Sequence, residues 1–127
     1  MPPTARSTKP VAERLQVRPG RRLAIIAATD TNDQAIGALD QRSAPANADV
    51  VLIFVRGRAG LEAHLAETLP ALKPTAILWI AYPKLTSAMA GDLHRDIIHN
   101  LMPGHGLDVV SAIAIDTDWS ALRLKRL

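Results

Sequence analysis

Several polar side chains stand at the ends of apolar runs, where a folded chain can hold them together at one end of a sheet. Thr29 and Asp30 follow the run from Leu23 to Ala28. Arg56 and Arg58 follow the run from Asp49 to Val55. Tyr82, Lys84 and Ser87 close or follow the run from Ala76 to Tyr82. Arginine and lysine beside hydroxyl groups can grip a phosphate or carboxylate, above all where helix N-termini add backbone N–H groups. These seven residues are the candidate ligand-binding set, and the ligand they suit is a small anion. The alternative is a solvated loop edge.

A second cluster, Asp92, Arg95, Asp96 and His99, falls on one expected helical segment with spacings of three and four. Acid–base work or partner contact is one reading, and a salt-bridged helix surface is the other. Asp92 and Arg95 are the residues of this cluster expected at a surface or interface. Trp119, in the turn Thr117-Asp118-Trp119-Ser120, is either a packing lid over the sheet end or an exposed interface anchor. His94 and His99 lie five apart, which puts them on different helix faces, so no metal site is expected even with His105 nearby. Ser87 and Ser120 lack flanking nucleophile-elbow glycines, and no serine hydrolase arrangement is present. No catalytic residue is assigned.

The elements that must position these groups are legible from apolar patterning. Leu23 to Ala28, Asp49 to Val55 and Ala76 to Tyr82 are short continuous apolar runs, as expected of strands buried on both faces. Leu61, Leu65, Leu69 and Leu72 recur at helical spacing, and Lys73-Pro74-Thr75 should end that helix. Thr86 or Ser87 can cap a second helix carrying Met89, Leu93, Ile97 and Leu101. Leu107 to Ile115 and Leu122 to Leu127 read as a fourth and a fifth strand. Strands separated by helices need crossovers and so pair in parallel, whereas the last two are too closely linked for that and should pair antiparallel. The expected fold is a three-layer Rossmann-like α/β sandwich of about five strands, mainly parallel, with an antiparallel C-terminal strand.

The chain has 127 residues, which suits one domain, and 48% of them are hydrophobic. Without cysteine it can have neither disulfides nor thiolate chemistry, a composition compatible with the cytoplasm. No apolar run is long enough to cross a membrane. The net charge of +3 is unevenly distributed. Arg6, Lys9, Arg14, Arg18, Arg21 and Arg22 precede the first strand, and Arg123, Lys125 and Arg126 lie among the last five residues. Residues 23–122 hold six basic and eleven acidic residues, a net of −5. Residues 1–17 are expected to be a flexible basic segment, within which 11–17 can form a short helix or turn, and 18–127 the single domain. Basic ends of this kind allow weak nucleic-acid binding through residues 1–22, or simply confer solubility.

From Asp49 onward the order of elements resembles the second half of class I S-adenosylmethionine methyltransferases. The phrase Leu72-Lys73-Pro74-Thr75-Ala76 is similar to that family's leucine-lysine-proline-glycine-glycine turn, with Thr75 and Ala76 in place of the glycines, and Val17-Arg18-Pro19-Gly20 has a similar flavour. Over 48–58, 78–84, 92–96 and 116–120 the chain also looks like an uncharacterised bacterial family of small methyltransferase-like domains. The resemblance implies a sheet in the order first, second, third, fifth, fourth strand, with the fifth antiparallel. It also implies a Gly-rich cofactor loop after the first strand, yet that loop here reads Ala27-Ala28-Thr29-Asp30-Thr31-Asn32, with no glycine before Gly37. About 20 residues separate the first strand from Asp49, too few for the two further strands of the full fold, one of which bears the ribose-holding acid. S-adenosylmethionine is therefore not expected to bind. The function expected first is a non-catalytic, methyltransferase-like domain that contacts a protein partner or itself. The alternatives are a binder of, or enzyme acting on, a small anion at the strand ends, and weak nucleic-acid binding.

Overall fold

The computed structural model describes residues 10–29, 32, 34, 36, 37 and 42–127. Its elements are α1 (Val11–Arg14), β1 (Leu23–Ile26), β2 (Val50–Phe54), α2 (Arg58–Thr68), β3 (Ile77–Pro83), α3 (Arg95–Leu101), β4 (Leu107–Ala114) and β5 (Trp119–Arg126). The five strands form one sheet in the order β1-β2-β3-β5-β4. The pairs β1–β2 and β2–β3 are parallel, and β5 is antiparallel to both β3 and β4. The fold is thus the mainly parallel Rossmann-like sandwich read from the sequence, with the expected strand order.

Both faces of the sheet are covered. On one, Val51, Ile53, Leu78, Ile80, Leu122 and Leu124 pack with Leu61 and Leu65 of α2 and with Leu93, Ile98 and Met102 around α3. On the other, Val50, Leu52, Phe54, Trp79, Ala81 and Trp119 pack with Val11, Ala12, Leu15, Val17 and Ile36. Alternation along β2 assigns its residues to these two layers in turn, and all five are buried, as expected for a strand with a helix layer on each side.

The second layer corrects the expected boundary of the domain. The sequence places residues 11–17 in the flexible segment, as a short helix or turn, but Leu15 is fully buried and its carbonyl accepts the indole N–H of Trp79 at 3.0 Å. A buried indole needs such a partner. The α1 turn ends with Gln16 left-handed (φ 76°), while Val17 N–H donates to the Ala12 carbonyl and Gln16 N–H to that of Glu13. This is the Schellman hydrogen-bond pattern with glutamine in the usual glycine place, and it turns Val17 back onto the core. Residues 1–9 lie outside the described residues.

Two helix limits also differ from expectation. Helix α2 stops at Thr68 and tightens into a 3-10 turn over Leu69–Ala71, because Pro70 has no N–H to give and crowds the preceding turn. The next helix begins at Arg95, not at Thr86 or Ser87. Met89 packs in one layer and Leu93 in the other, so the two cannot share a helical stripe. Asp92 consequently lies before the helix that carries Arg95, Asp96 and His99.

The β4–β5 register shifts between Val109 and Ser111, a β-bulge that leaves Val110 45% exposed on an edge strand. Further along that strand, Arg14 donates to the Ala114 carbonyl. At the other edge, Leu23 of β1 bridges Arg42 and its carbonyl accepts the Ser43 N–H.

Candidate functional site

In open α/β sheets ligands gather beyond the carboxyl ends of the parallel strands. Three pieces of chain meet there: the loop 56–58 after β2, the loop 84–94 after β3, and the turn 115–119 before β5. Each is held by the chain's own side chains.

The N-terminus of α2 shows this most directly. Its cap residue, Gly57, is extended and has no side chain to offer the helix. Asp92 Oδ1, from a loop 34 positions away, accepts the Arg58 N–H at 2.8 Å. A carboxylate is well suited to the positive end of a helix. The fit is close on both sides: a Cβ at Gly57 would lie 3.1 Å from Asp92 Oδ1, and one at Gly91 would lie 3.1 Å from the Arg56 carbonyl oxygen. The two glycines let the loops touch, and the helix end that might attract an anion already has one.

Lys84 is used in a similar way. Its Nζ donates to the Asp116 carbonyl at 2.7 Å and its N–H to the Asp118 carbonyl at 2.7 Å. Asp116 Oδ1 in turn accepts N–H groups from Asp118 and Trp119, both at 2.9 Å. Arg58 Nε lies 3.6 Å from Glu62 Oε1, one helical turn on. After β1, Thr29 and Asn32 satisfy one another: the Thr29 N–H and hydroxyl each donate to Asn32 Oδ1 at 3.0 Å, and Asn32 N–H donates to Thr29 Oγ1 at 3.2 Å. Asn32 is 2% exposed. Between β1 and this cap, Ala27 is left-handed (φ 64°), a conformation costly for a residue with a Cβ.

The expected ligand set is thus divided. Tyr82 and Lys84 line a cleft of about 360 Å³ with Leu85, Thr86, His94, Arg95, Asp96 and Ser120. Arg56 and Arg58 do not line it, nor do Thr29 and Ser87. Ser87 is buried and caps a local turn, its hydroxyl accepting Met89 N–H at 3.1 Å. Asp30 lies outside the described residues. Trp119 is not a surface residue: it is 4% exposed, with its ring edge-on to Phe54 at 5.1 Å between centroids. Asp92 is solvent-exposed, but its carboxylate is spent on α2, while Arg95 is exposed at the cleft mouth. His94, Asp96 and Ser120 are cleft residues that the sequence reading left out of its ligand set. The Tyr82↔Ser120 register across β3 and β5 brings Ser120 there, and strand pairing of that kind has no local sequence signal.

Tyr82 is the cleft's titratable group with a shifted proton affinity. Burial raises its pKa above the ordinary tyrosine value; Arg95 and a hydrogen bond with Ser120 oppose that, and Asp96 adds to it. Tyr82 therefore stays protonated well into the alkaline range and offers a neutral hydroxyl. Among the described residues no group of His, Asp and Glu side chains could hold a metal ion, and no helix is long and apolar enough to cross a membrane.

No family model matches the chain, and no curated protein does. Solved structures do. The chain is similar to the mitomycin 7-O-methyltransferase MmcR at 15% identity and a TM-score of 0.56, covering 92% of this chain and 45% of that one. It is similar to the B. subtilis M1A22 tRNA methyltransferase TrmK at 11% identity and a TM-score of 0.56, covering 96% and 67%. It is also similar to a protein of the NADB-Rossmann superfamily from Streptococcus agalactiae at 11% identity and a TM-score of 0.55, covering 96% and 69%. The fold is methyltransferase-like. The chain spans less than half the length of MmcR, and identities this low carry the fold alone.

Proposed function

We propose that this chain is a non-catalytic, methyltransferase-like domain that acts by contacting a protein partner or a second copy of itself. The observation that carries the reading is Asp92 seated on the N-terminus of α2, 2.8 Å from the Arg58 nitrogen. In this fold class that end of the sheet is where ligands are held. Here helix end, lysine and hydroxyl are committed to the chain itself. Two features of the described residues after β1 support the absence of S-adenosylmethionine from this reading: Ala27 puts a methyl group at a left-handed turn where close approach to a cofactor calls for glycine, and Thr29 is spent on Asn32. What this end offers a partner is an outer surface, including Leu85 at 68% exposure beside the Tyr82 cleft.

Isothermal titration with S-adenosylmethionine, run alongside light scattering across a concentration series and partner capture with Leu85→Glu as control, tests the reading. The expected result is no cofactor heat, together with a self-association or a captured protein that Leu85→Glu weakens. Micromolar cofactor binding would overturn it.

The cleft itself favours a second reading, a small anionic ligand held by Arg95 with the Tyr82 and Ser120 hydroxyls as orienting groups. A carboxylate or phosphate that protects Arg95 from modification by phenylglyoxal, and loses that effect in Tyr82→Phe, would support it.

A further inference from the structure

Two basic pairs about a hundred residues apart, Arg21–Arg22 and Lys125–Arg126, are brought to one edge of the sheet. Arg21 and Arg22 stand immediately before β1, and Lys73 stands before β3. Because β5 runs the other way, its last residues arrive at the edge where β1, β2 and β3 begin: Leu124 pairs with Leu78, so Lys125 and Arg126 lie beside the start of β3. Arg123, opposite Trp79, points to the same face as Lys125. From β1 to β5 is three strand spacings, about 14 Å.

The carboxylates along this edge do not cancel the row. Asp49 is held by Lys73 Nζ at 3.1 Å and by the Arg22 N–H at 2.9 Å. Asp108 sits opposite Lys125, and Glu67 is in the last turn of α2. Among the described residues Arg22, Arg123, Lys125 and Arg126 form no ion pair with any of them. Arg21 and Arg126 are each fixed by one backbone carbonyl, those of Gln16 at 3.0 Å and Leu69 at 3.2 Å. A guanidinium has five donors, so both keep N–H groups for a ligand while their position is set.

We infer that this edge binds the phosphate backbone of a nucleic acid, without reading its sequence. Each strand of a duplex carries one charge per about 3.4 Å of axis, so a 14 Å row spans roughly four phosphate charges of one strand. Arginine predominates in the row, and its planar fork suits phosphate oxygens. The edge presents no aromatic ring on which bases might stack, which leaves charge as the basis of recognition. Among the described residues Leu127, 75% exposed, is the one large apolar side chain standing out at this edge, and a single leucine gives a lipid bilayer little to hold. The surface lies at the opposite end of the sheet from the Tyr82 cleft and stands whether or not the proposed function holds.

The test is fluorescence anisotropy of a 20-base-pair duplex of arbitrary sequence with the full chain. With about four phosphate contacts, affinity should fall roughly 100-fold between 50 and 200 mM salt. Arg21→Glu/Arg22→Glu and Lys125→Glu/Arg126→Glu should each weaken binding at least tenfold. Arg22→Lys/Arg126→Lys should retain the salt slope, which separates charge from fold, and thermal melts of every variant check folding directly. Arg6→Ser/Lys9→Ser should matter less than either edge variant. Binding that is insensitive to salt, or abolished by Arg6→Ser/Lys9→Ser alone while both edge variants are neutral, overturns the inference. So does capture by vesicles of phosphatidylserine and phosphatidylcholine with no duplex binding.

Discussion

Where β1, β2 and β3 finish, charged and polar side chains are turned back upon the chain: Asp92 on α2, Lys84 on the turn before β5, Thr29 on Asn32. Where the same strands begin, Arg22 and Lys125 are exposed with no ion pair among the described residues, Arg123 is half-exposed, and Arg126 is exposed with a single backbone carbonyl as its partner. The two edges contain similar residue types. They differ in how far carboxylates and carbonyls from elsewhere in the chain take up their polar groups. Composition alone therefore cannot tell a recognition surface from a structural one; the geometry of the connecting loops decides.

The largest expected break in this comparison is Trp119→Ala. Removing a buried indole beside Phe54 should cost about 3–5 kcal/mol in chemical denaturation. Native-state hydrogen exchange should rise at the loops 84–94 and 115–119 before it rises at the starts of the strands. Asp92→Ala comes next. It removes the only side-chain cap of α2 seen among the described residues and should cost about 1 kcal/mol. Sulfate should then raise the variant's Tm more than the parent's, since the helix end becomes open to an external anion. A parent that responds to sulfate as strongly as the variant would remove the contrast between the edges.

Ala27→Gly should move stability the other way, by roughly 0.5–1 kcal/mol, because glycine adopts the left-handed turn without the Cβ clash. An unchanged or lowered denaturation midpoint would show that the turn is not strained. The smallest effect concerns pH. The Tyr82 pKa is raised in the folded chain, so its stabilising contribution is complete below the unfolded value of about 10 and fades as pH rises through the higher folded value. A melt series from pH 9 to 11 should therefore decline more steeply for the parent than for Tyr82→Phe.

The sheet was legible because its signals are local and redundant. Continuous apolar runs identified the three parallel strands, and the short link between the last two fixed their antiparallel sense. The resemblance added the strand order. What was not legible depends on contacts between distant loops. Met89, Leu93, Ile97 and Leu101 repeat like a helix, yet Met89 and Leu93 serve opposite faces of the sheet. Residues 11–17 are too short and mixed to announce a core element, and only Trp79's need for a hydrogen-bond acceptor explains why Leu15 is held so tightly. Of the candidate ligand residues, Tyr82 and Lys84 do line a cleft, whereas Thr29 is paired with Asn32, Arg58 with Glu62, and Ser87 closes a local turn. Sequence can nominate side chains at strand ends, but it does not show which of them the neighbouring loop will claim.

The irregularity at Val110 has a consequence for how the molecule behaves in a crowd. A regular eight-residue edge whose side chains, Asp108 apart, are small or aliphatic would be an open invitation for another chain to zip alongside, and then another after that. One surplus residue, with a guanidinium resting on the carbonyl near the strand's far end, interrupts the run of outward amides and carbonyls. The β4 edge is thereby made irregular, which disfavours the regular pairing that further chains would need on that side.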